Sequence, residues 1–524
     1  MITHIVTTIK QRESRRFFAA YLTGKMIGVA AVIAVMFGSV WFFGTQAGAL
    51  GMHTQAVKAA DLVSPINTIW VLVTAFLVFF MQAGFMMLEG GFARTRETSN
   101  VMIECIVDTG LCGLLFYAFG FAFMFGGGNS WIGYHYFFLQ GVPHTYTYAG
   151  GADTGVAFMA FWLFQFAFAD TASTIVSGAM VGRTSFKGDL LYSVGVTGFI
   201  YPIFGHWAWG PGGWLSKIGP VPFRDFAGST MVHTIGGVLA LTGAIALGPR
   251  IGRKFKRDGG GMPPGHNMTL AALGGVILWF GWYGFNPGST LSGMDFEGIG
   301  RIATNTTLAA CLGALTATAY IYFRTKKFDT GISINGLLAG LVAITCPCYW
   351  VSPTGAVAIG AIAGVIVVLA VDFTEWIRVD DPCGAFAVHG AAGIWGTLSL
   401  GLFAVGNYSG GIPSIPAPGV TGSVVTVKGI LYGGSADQFI AQVKGSATIT
   451  VATLLAGFAL MYSIKFFKQL RISEEGEIEG LDIHEHGAPA YHPEPAYNGY
   501  SAMPPGRMGG GTAPGVPASA MVET

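Results

Sequence analysis

Long apolar runs separated by short polar stretches recur along almost the whole chain. Each is close to the roughly 20 residues that span a bilayer as a helix. They fall near 66–91, 99–125, 154–182, 189–210, 228–249, 268–287, 301–323, 332–350, 355–373, 386–406 and 445–468. The pattern predicts an all-α polytopic membrane protein of eleven transmembrane helices. Gly is frequent inside the runs, which suits spans packed closely, because small residues let helix backbones approach. A further apolar stretch, 27–44, follows Lys10, Arg12, Arg15 and Arg16 and precedes Ala47-Gly48-Ala49. A basic region, an apolar core and an A-x-A site are the parts of a secretory signal peptide, so residues 1–49 are expected to be one. An uncleaved first helix is the alternative.

Composition supports the membrane reading. Of 524 residues, 52% are hydrophobic and 10% charged, whereas soluble domains carry about 25% charged residues. That excludes a soluble enzyme, a disordered chain and a secreted disulfide scaffold, and a net charge of +1 gives nucleic acid nothing to bind. The six Cys form no CxxC…CxxC frame and read as buried free thiols. No nucleotide motif and no nucleophile–base pair at recognisable spacing stands in the chain, so no enzymatic activity and no cofactor is expected.

The few charges are unevenly placed. Alternate loops carry sixteen Lys and Arg on one side, Arg250, Arg253, Lys254, Lys256 and Arg257 among them, against five on the other: Lys217, Arg224, Arg301, Lys428 and Lys444. The positive-inside rule puts the mature N-terminus outside and the C-terminus in the cytoplasm, as an odd number of spans requires. Residues 62–471 then form the membrane domain. Residues 472–524 form a cytoplasmic tail, acidic from Ser473 to Glu479 and ending in Gly/Pro low complexity that is expected to be disordered.

Two segments share the pattern D-x2-G-x4-H-x3-G: Asp225, Gly228, His233, Gly237 and Asp381, Gly384, His389, Gly393. They open the fifth and tenth predicted helices. Five helices apart is an odd number, so the copies enter the membrane from opposite faces, as in an inverted five-helix repeat with its substrate site near the midplane. Ionisable groups are costly inside a membrane and mark pathways or proton relays, so the pair is read as a site rather than as two satisfied core residues. A metal pair lacks a third ligand for zinc or iron, and haem would need more room than Thr234, Gly236, Gly390 and Gly393 leave. A second group is aromatic: Phe164, Gln165 and Phe168 in the third span, Trp209 ending the fourth, and Gly281-Trp282-Tyr283-Gly284-Phe285-Asn286-Pro287-Gly288-Ser289 ending the sixth. An aromatic face beside a hydroxyl suits a small monovalent cation; an interfacial aromatic belt is the alternative.

From about residue 62 to 496 the sequence resembles the ammonium transporter (Amt/Mep/Rh) family, in its bacterial Amt-type branch. The motifs that carry the resemblance are Asp225-Phe226-Ala227-Gly228-Ser229-Thr230-Met231-Val232-His233, Trp282-Tyr283-Gly284-Phe285-Asn286-Pro287-Gly288-Ser289, and Asp380-Asp381-Pro382-Cys383 leading to His389-Gly390. The resemblance implies a homotrimer with one hydrophobic pore per protomer. His233 and His389 match the twin pore histidines, and Phe168 and Phe285 match the phenyl rings that close the pore on its outer side. Trp209 and Ser289, with Phe168 beneath and Phe164 beside it, match the external ammonium recruitment site, which Asp225 supports without coordinating the ion. The segment around Glu477-Ile478-Glu479-Gly480-Leu481-Asp482 resembles the family's cytoplasmic segment that couples protomers and helps receive a PII-type regulator.

Three positions depart from the family pattern. Asp170 stands where a small or neutral residue is usual, and either alters the vestibule or is a hydrogen-bonded structural acid. Gly182 replaces a common acid before Arg183, which puts a family ion pair in doubt. Gly384 stands where some relatives have Asp. The implied function is recruitment of NH4+ (methylammonium as analogue), its deprotonation near Phe168 and Phe285, and conduction of NH3 past the histidines, in the cell membrane and among its lipids. An ammonium sensor with little transport and an Rh-type gas channel are the alternatives; a long C-terminal signalling domain would support the first, and Trp209 and Ser289 weigh against the second.

Overall fold

The computed structural model describes residues 59–147, 153–406 and 427–491. The expected signal peptide, the loop 407–426 and the end of the tail lie outside them. By contacts the chain divides into residues 1–63 and 64–524; of the first, only residues 59–63, which begin α1, are described. The helices are α1 (Ala59–Phe79), α2 (Met81–Phe92), α3 (Thr98–Leu115), α4 (Phe121–Phe125), α5 (Phe158–Ser177), α6 (Phe186–Gly195), α7 (Tyr201–Trp209), α8 (Ile235–Leu247), α9 (Met268–Gly288), α10 (Phe296–Thr325), α11 (Thr330–Thr345), α12 (Pro353–Trp376), α13 (Ala392–Phe403), α14 (Asp437–Phe466), α15 (Glu474–Glu479) and α16 (Leu481–His486).

Among the described residues nine helices, some assembled from two of these pieces, are long and apolar enough to cross a membrane, and α11 is a shorter apolar helix. Large apolar side chains such as Ile69, Leu114, Leu315 and Leu455 stand exposed on their outer faces. A water-facing surface rarely carries so many; a lipid-facing one does.

Among the described residues four π-helical turns interrupt the helices: Phe116–Gly120, Val196–Ile200, Ser229–Thr234 and Phe386–Ala391. The second joins α6 to α7, so the stretch expected at 189–210 is a helix, 186–209, that carries a π turn. Pro202 is the cause in the sequence: it has no N–H to give Gly198, and a wider turn absorbs the missing bond.

Helix bounds differ from the apolar runs for similar local reasons. The third run, expected as helix from 154, begins as a strand, β2 (Asp153–Ala157), paired antiparallel with β1 (Thr145–Thr147); Gly155 at φ +65° breaks any helix there. α11 stops at Thr345 rather than 350: Cys346 still has helical backbone (φ −75°, ψ −52°), but Pro347 has no N–H to donate to Ala343 O.

One end of the bundle is bound by charge. Arg250 pairs with Asp380 at 2.8 Å, Arg253 with Glu375 and Asp380, and Lys256 and Arg324 share Asp372 at 2.7 and 2.5 Å. The buried Arg183 guanidinium donates to the carbonyls of Ala179, Val181, Gly248 and Asp380. Residues 473–491 dock at this end: Glu477 accepts from Ile251 N (2.6 Å) and Arg471, and Asp482 accepts from Asn100 N at 2.8 Å.

Candidate functional site

The repeated motif builds the same local structure twice. Asp225 accepts from the N–H groups of Gly228 and Ser229 through Oδ1 (both 3.0 Å) and of Thr230 and Met231 through Oδ2 (both 2.8 Å). Asp381 accepts from Ala385 N (2.9 Å) and Phe386 N (3.0 Å). Each carboxylate caps the donors that a helix start leaves unpaired. The turn into each helix needs left-handed backbone at the motif's first glycine, Gly228 at φ +118° and Gly384 at φ +73°, which a side chain disfavours. Burial pushes the Asp225 carboxyl above its usual range and Asp381 up to about 6, against the pull of those N–H donors.

The motif's last glycine brings the copies together. A Cβ on Gly237 would stand 2.2 Å from Gly390 N, and one on Gly393 2.5 Å from Ser229 O. Each copy's glycine thus lies against the backbone of the other copy. This crossing sets the distance between the two π turns and so between the histidines they carry. His233 Nδ1 and His389 Nδ1 are 3.1 Å apart, with rings 22° from parallel. Both residues are buried, and among the described residues neither imidazole bonds to a carboxylate. At 3.1 Å one nitrogen donates to the other, so the tautomers of the pair are linked.

The aromatic residues continue this line. Phe285 lies 5.3 Å from the His233 ring and stacks on Phe168 at 4.0 Å, 21° from parallel. Beyond Phe168 come Phe164 at 4.7 Å and Trp209 at 6.4 Å. Trp209 Nε1 donates to Asp225 O at 2.8 Å, so the acid's backbone orients the indole while its carboxylate is occupied by the cap. Ser289, at the C-terminal end of α9, donates to Phe285 O at 2.8 Å and keeps its oxygen lone pairs. All eight predicted residues therefore fall in one continuous group.

Trp282 belongs to it as well, although the sequence reading gave it no role. Its ring stacks on His233 at 5.0 Å, 16° from parallel, and its Nε1 donates to Thr345 Oγ1 at 2.8 Å. Three residues before Phe285 on one helix is the same face, but the stack on His233 has no local signal in the sequence.

The three departures resolve physically. Asp170 is buried and accepts from Thr109 Oγ1 at 3.1 Å, the hydrogen-bonded arrangement. Gly182, at φ +82°, leaves the space of a side chain to Glu97, whose carboxyl oxygens lie 2.7 Å from where a Cβ would stand. Glu97 pairs with Arg94, which also donates to Gly182 O, so an acid does occupy this corner, from another loop. At Gly384, φ +73°, a Cβ would meet Asn335 Nδ2 at 2.7 Å, so an Asp here would need left-handed backbone and a shift of the Asn335 amide, which donates to Cys383 O.

Residues 69–491 match the Ammonium Transporter Family. The chain is 44% identical over 436 residues to ammonium transporter Amt2 of Archaeoglobus fulgidus, covering 82% of this chain and 88% of that one. It is 35% identical over 437 residues to ammonium transporter 3 of Dictyostelium discoideum, covering 81% and 94%. Among solved structures, a sensor Amt protein superposes with TM-score 0.71 at 35% identity over 82% of this chain and all of that one. Candida albicans Mep2 does so with TM-score 0.67 at 26% identity over 78% and 87%.

Proposed function

The chain belongs to the ammonium transporter family, and from that premise we propose that it takes NH4+ from outside, strips its proton at the stacked phenyl rings and conducts NH3 past the paired histidines. The observation that carries this is the single file of rings, Phe168 on Phe285 at 4.0 Å, Phe285 on His233 at 5.3 Å and His233 on His389 at 5.2 Å. An ion at the bilayer centre costs at least about 3 kcal/mol. Potassium, close to ammonium in size, cannot lower that cost; ammonium can, by leaving its proton behind.

Trp209, Phe168 and Phe164 offer ring faces to the cation and Ser289 an oxygen acceptor, while Asp225 holds the Trp209 indole from outside the ion's coordination shell. The paired imidazoles exchange donor and acceptor roles, which lets them line a path for ammonia and also relay the proton. Eleven spans in two inverted five-helix halves, a homotrimer in the cell membrane with the N-terminus outside and the C-terminus inside, and a PII-type regulator at the tail complete the reading. In this reading the helix Phe186–Trp209, with its π turn, and the short helix Thr330–Thr345 are the two spans beyond the nine.

Current recorded across proteoliposomes with the His233→Ala, His389→Ala double variant tests the relay. The current is expected to fall by at least about tenfold while the protein stays folded; an undiminished current removes the histidines from the proton path. A sensor with little transport is the second reading, favoured by the similarity to a protein named a sensor and by the docking of Glu477 and Asp482 against the bundle. It predicts binding without uptake.

A further inference from the structure

Between the Trp214–Lys217 and Ser229–Thr234 turns the chain runs without helix or strand, yet Phe223, Arg224, Asp225 and Ala227 are buried. Buried irregular backbone has to find partners for its N–H and C=O groups. Two glutamines of α14 supply several of them. Gln438 Nε2 donates to Pro222 O at 3.1 Å. Gln442 Oε1 accepts from Arg224 N at 2.9 Å, and its Nε2 donates to Arg224 O at 2.7 Å. The Gln442 amide thus pairs with both backbone groups of one residue, as a neighbouring strand would.

Gln442 is fully buried. A carboxamide has two N–H and two lone pairs, and this one uses all four. Its second lone pair takes Gln438 Nε2 at 3.0 Å, and its second N–H goes to Thr397 O at 3.1 Å. The reversed amide would set Oε1 against two carbonyls, so the network fixes its orientation. Thr397 lies on α13, which continues the turn carrying His389, and its Oγ1 meets Thr230 Oγ1 at 2.5 Å. One side chain therefore joins the loop before Asp225 to α13 and α14. In the proposed arrangement of two five-helix halves α14 is the span left over, and this tie gives it a task.

The clamped residue stands next to the one that holds Trp209. Asp225 O accepts the indole N–H at 2.8 Å. The Asp225 carboxylate is turned toward the N–H groups of residues 228–231 and does not steer that carbonyl. Downstream, Phe226 N reaches Cys346 O only at 3.4 Å. Upstream, Arg224 is held through both its backbone groups by Gln442, with Cys346 Sγ a weak further donor to its oxygen at 3.3 Å. The aim of the Asp225 carbonyl is thus set mainly from the Arg224 side.

We propose that Gln442 is a positioning residue for the outer mouth: its amide fixes the Arg224 backbone so that Asp225 O meets the Trp209 indole, and it anchors that loop to α13. The effect on ammonium binding rests on the recruiting role proposed for Trp209; the hold on the indole does not.

The test uses the full chain. Methylammonium uptake is measured in proteoliposomes for Gln442→Leu and Gln442→Asn, each alone and combined with Trp209→Leu. Alone, both are expected to raise KM about fivefold, the factor one ordinary hydrogen bond carries. The maximal rate is expected to change little, since the Thr230–Thr397 bond still holds α13. Independent sites add to within about twofold, so a merely structural Gln442 would show its full effect again without Trp209, whereas a positioning Gln442 loses it. Protein labelled with 5-fluorotryptophan reads the indole apart from transport. The 19F resonance missing from Trp209→Leu belongs to Trp209, and it is expected to shift in both Gln442 variants while indoles away from the mouth stay. Ser446→Ala, one turn along α14 and also buried, is expected to keep the wild-type KM and spectrum. The proposal is overturned if the Trp209 resonance stays in place in both variants, if KM does not rise, or if the rise is undiminished without Trp209. Should Gln442→Leu fail to fold, Gln442→Asn, which keeps an amide but draws it back by one carbon, decides alone; failure of both to fold would make Gln442 purely structural and overturn the proposal. Absence of uptake in the wild type would sink transport and leave the fluorine spectrum to judge Gln442.

Discussion

Asp225 shows how much one side chain holds in place. Its carboxylate holds four backbone N–H groups and its carbonyl holds the Trp209 indole. Asp225→Ala leaves those donors buried and unpaired, and is expected to destabilise the protein by about 2 kcal/mol or more, read as a fall in the unfolding midpoint in detergent. Trp209→Leu keeps the cap and removes the ring face. Its expected effect is a rise of about tenfold in the KM for methylammonium with little change in the midpoint, since a cation–π contact is worth about 1–2 kcal/mol. Both roles were partly legible in the sequence. A repeated D-x2-G before a His marks a capped turn, and an aromatic cluster marks a cation's approach. Trp282 was not assigned because an indole in an apolar helix has no chemistry of its own to announce. Its stacking on His233 depends on a neighbour 49 positions away, and no local spacing encodes that.

At the level of elements, helix periodicity found the apolar runs but not their interruptions. The π turns that carry His233 and His389 add one residue to a turn, a change hydrophobic patterning does not register. Proline did register: Pro202 and Pro347 sit where a helix widens or ends. The crossing of the two motif copies depends on glycine, and its consequence is steep. Gly237→Val places carbon atoms into the Gly390 backbone and is expected to cost about 3 kcal/mol or more, seen as loss of folded protein on size-exclusion chromatography. Gly182 only puts a family ion pair in doubt on the sequence, because a sequence does not say which other loop fills a vacated corner. Glu97 does so. Glu97→Ala is therefore expected to lower the unfolding midpoint, with Arg94 left unpaired.

Across the whole molecule, scarcity of charge and its placement belong together. The buried acid of the Arg250–Asp380–Arg253 group behaves differently from its neighbour in sequence. Burial would raise the Asp380 carboxyl, but the hydrogen bond from Arg250 and the charges of Arg183 and Arg250 outweigh it and hold it well below the usual range. A lowered carboxylate contributes stability above its unfolded value near ~4 that is lost as pH falls. Asp381 is raised to about 6 by burial, so its contribution runs the other way, present below ~4 and lost as pH rises through about 6. Asp380→Asn is expected to flatten the acid limb of the midpoint-against-pH curve, and Asp381→Asn the fall between about pH 4 and 6. Positive loops, an apolar exterior and two buried imidazoles fit the path proposed for this chain, one that admits a neutral molecule and refuses an ion. Uptake of labelled methylammonium into proteoliposomes under an excess of potassium tests that claim most directly. Saturable uptake that potassium does not reduce is the predicted result; uptake that potassium abolishes, or the absence of both uptake and current, would contradict it.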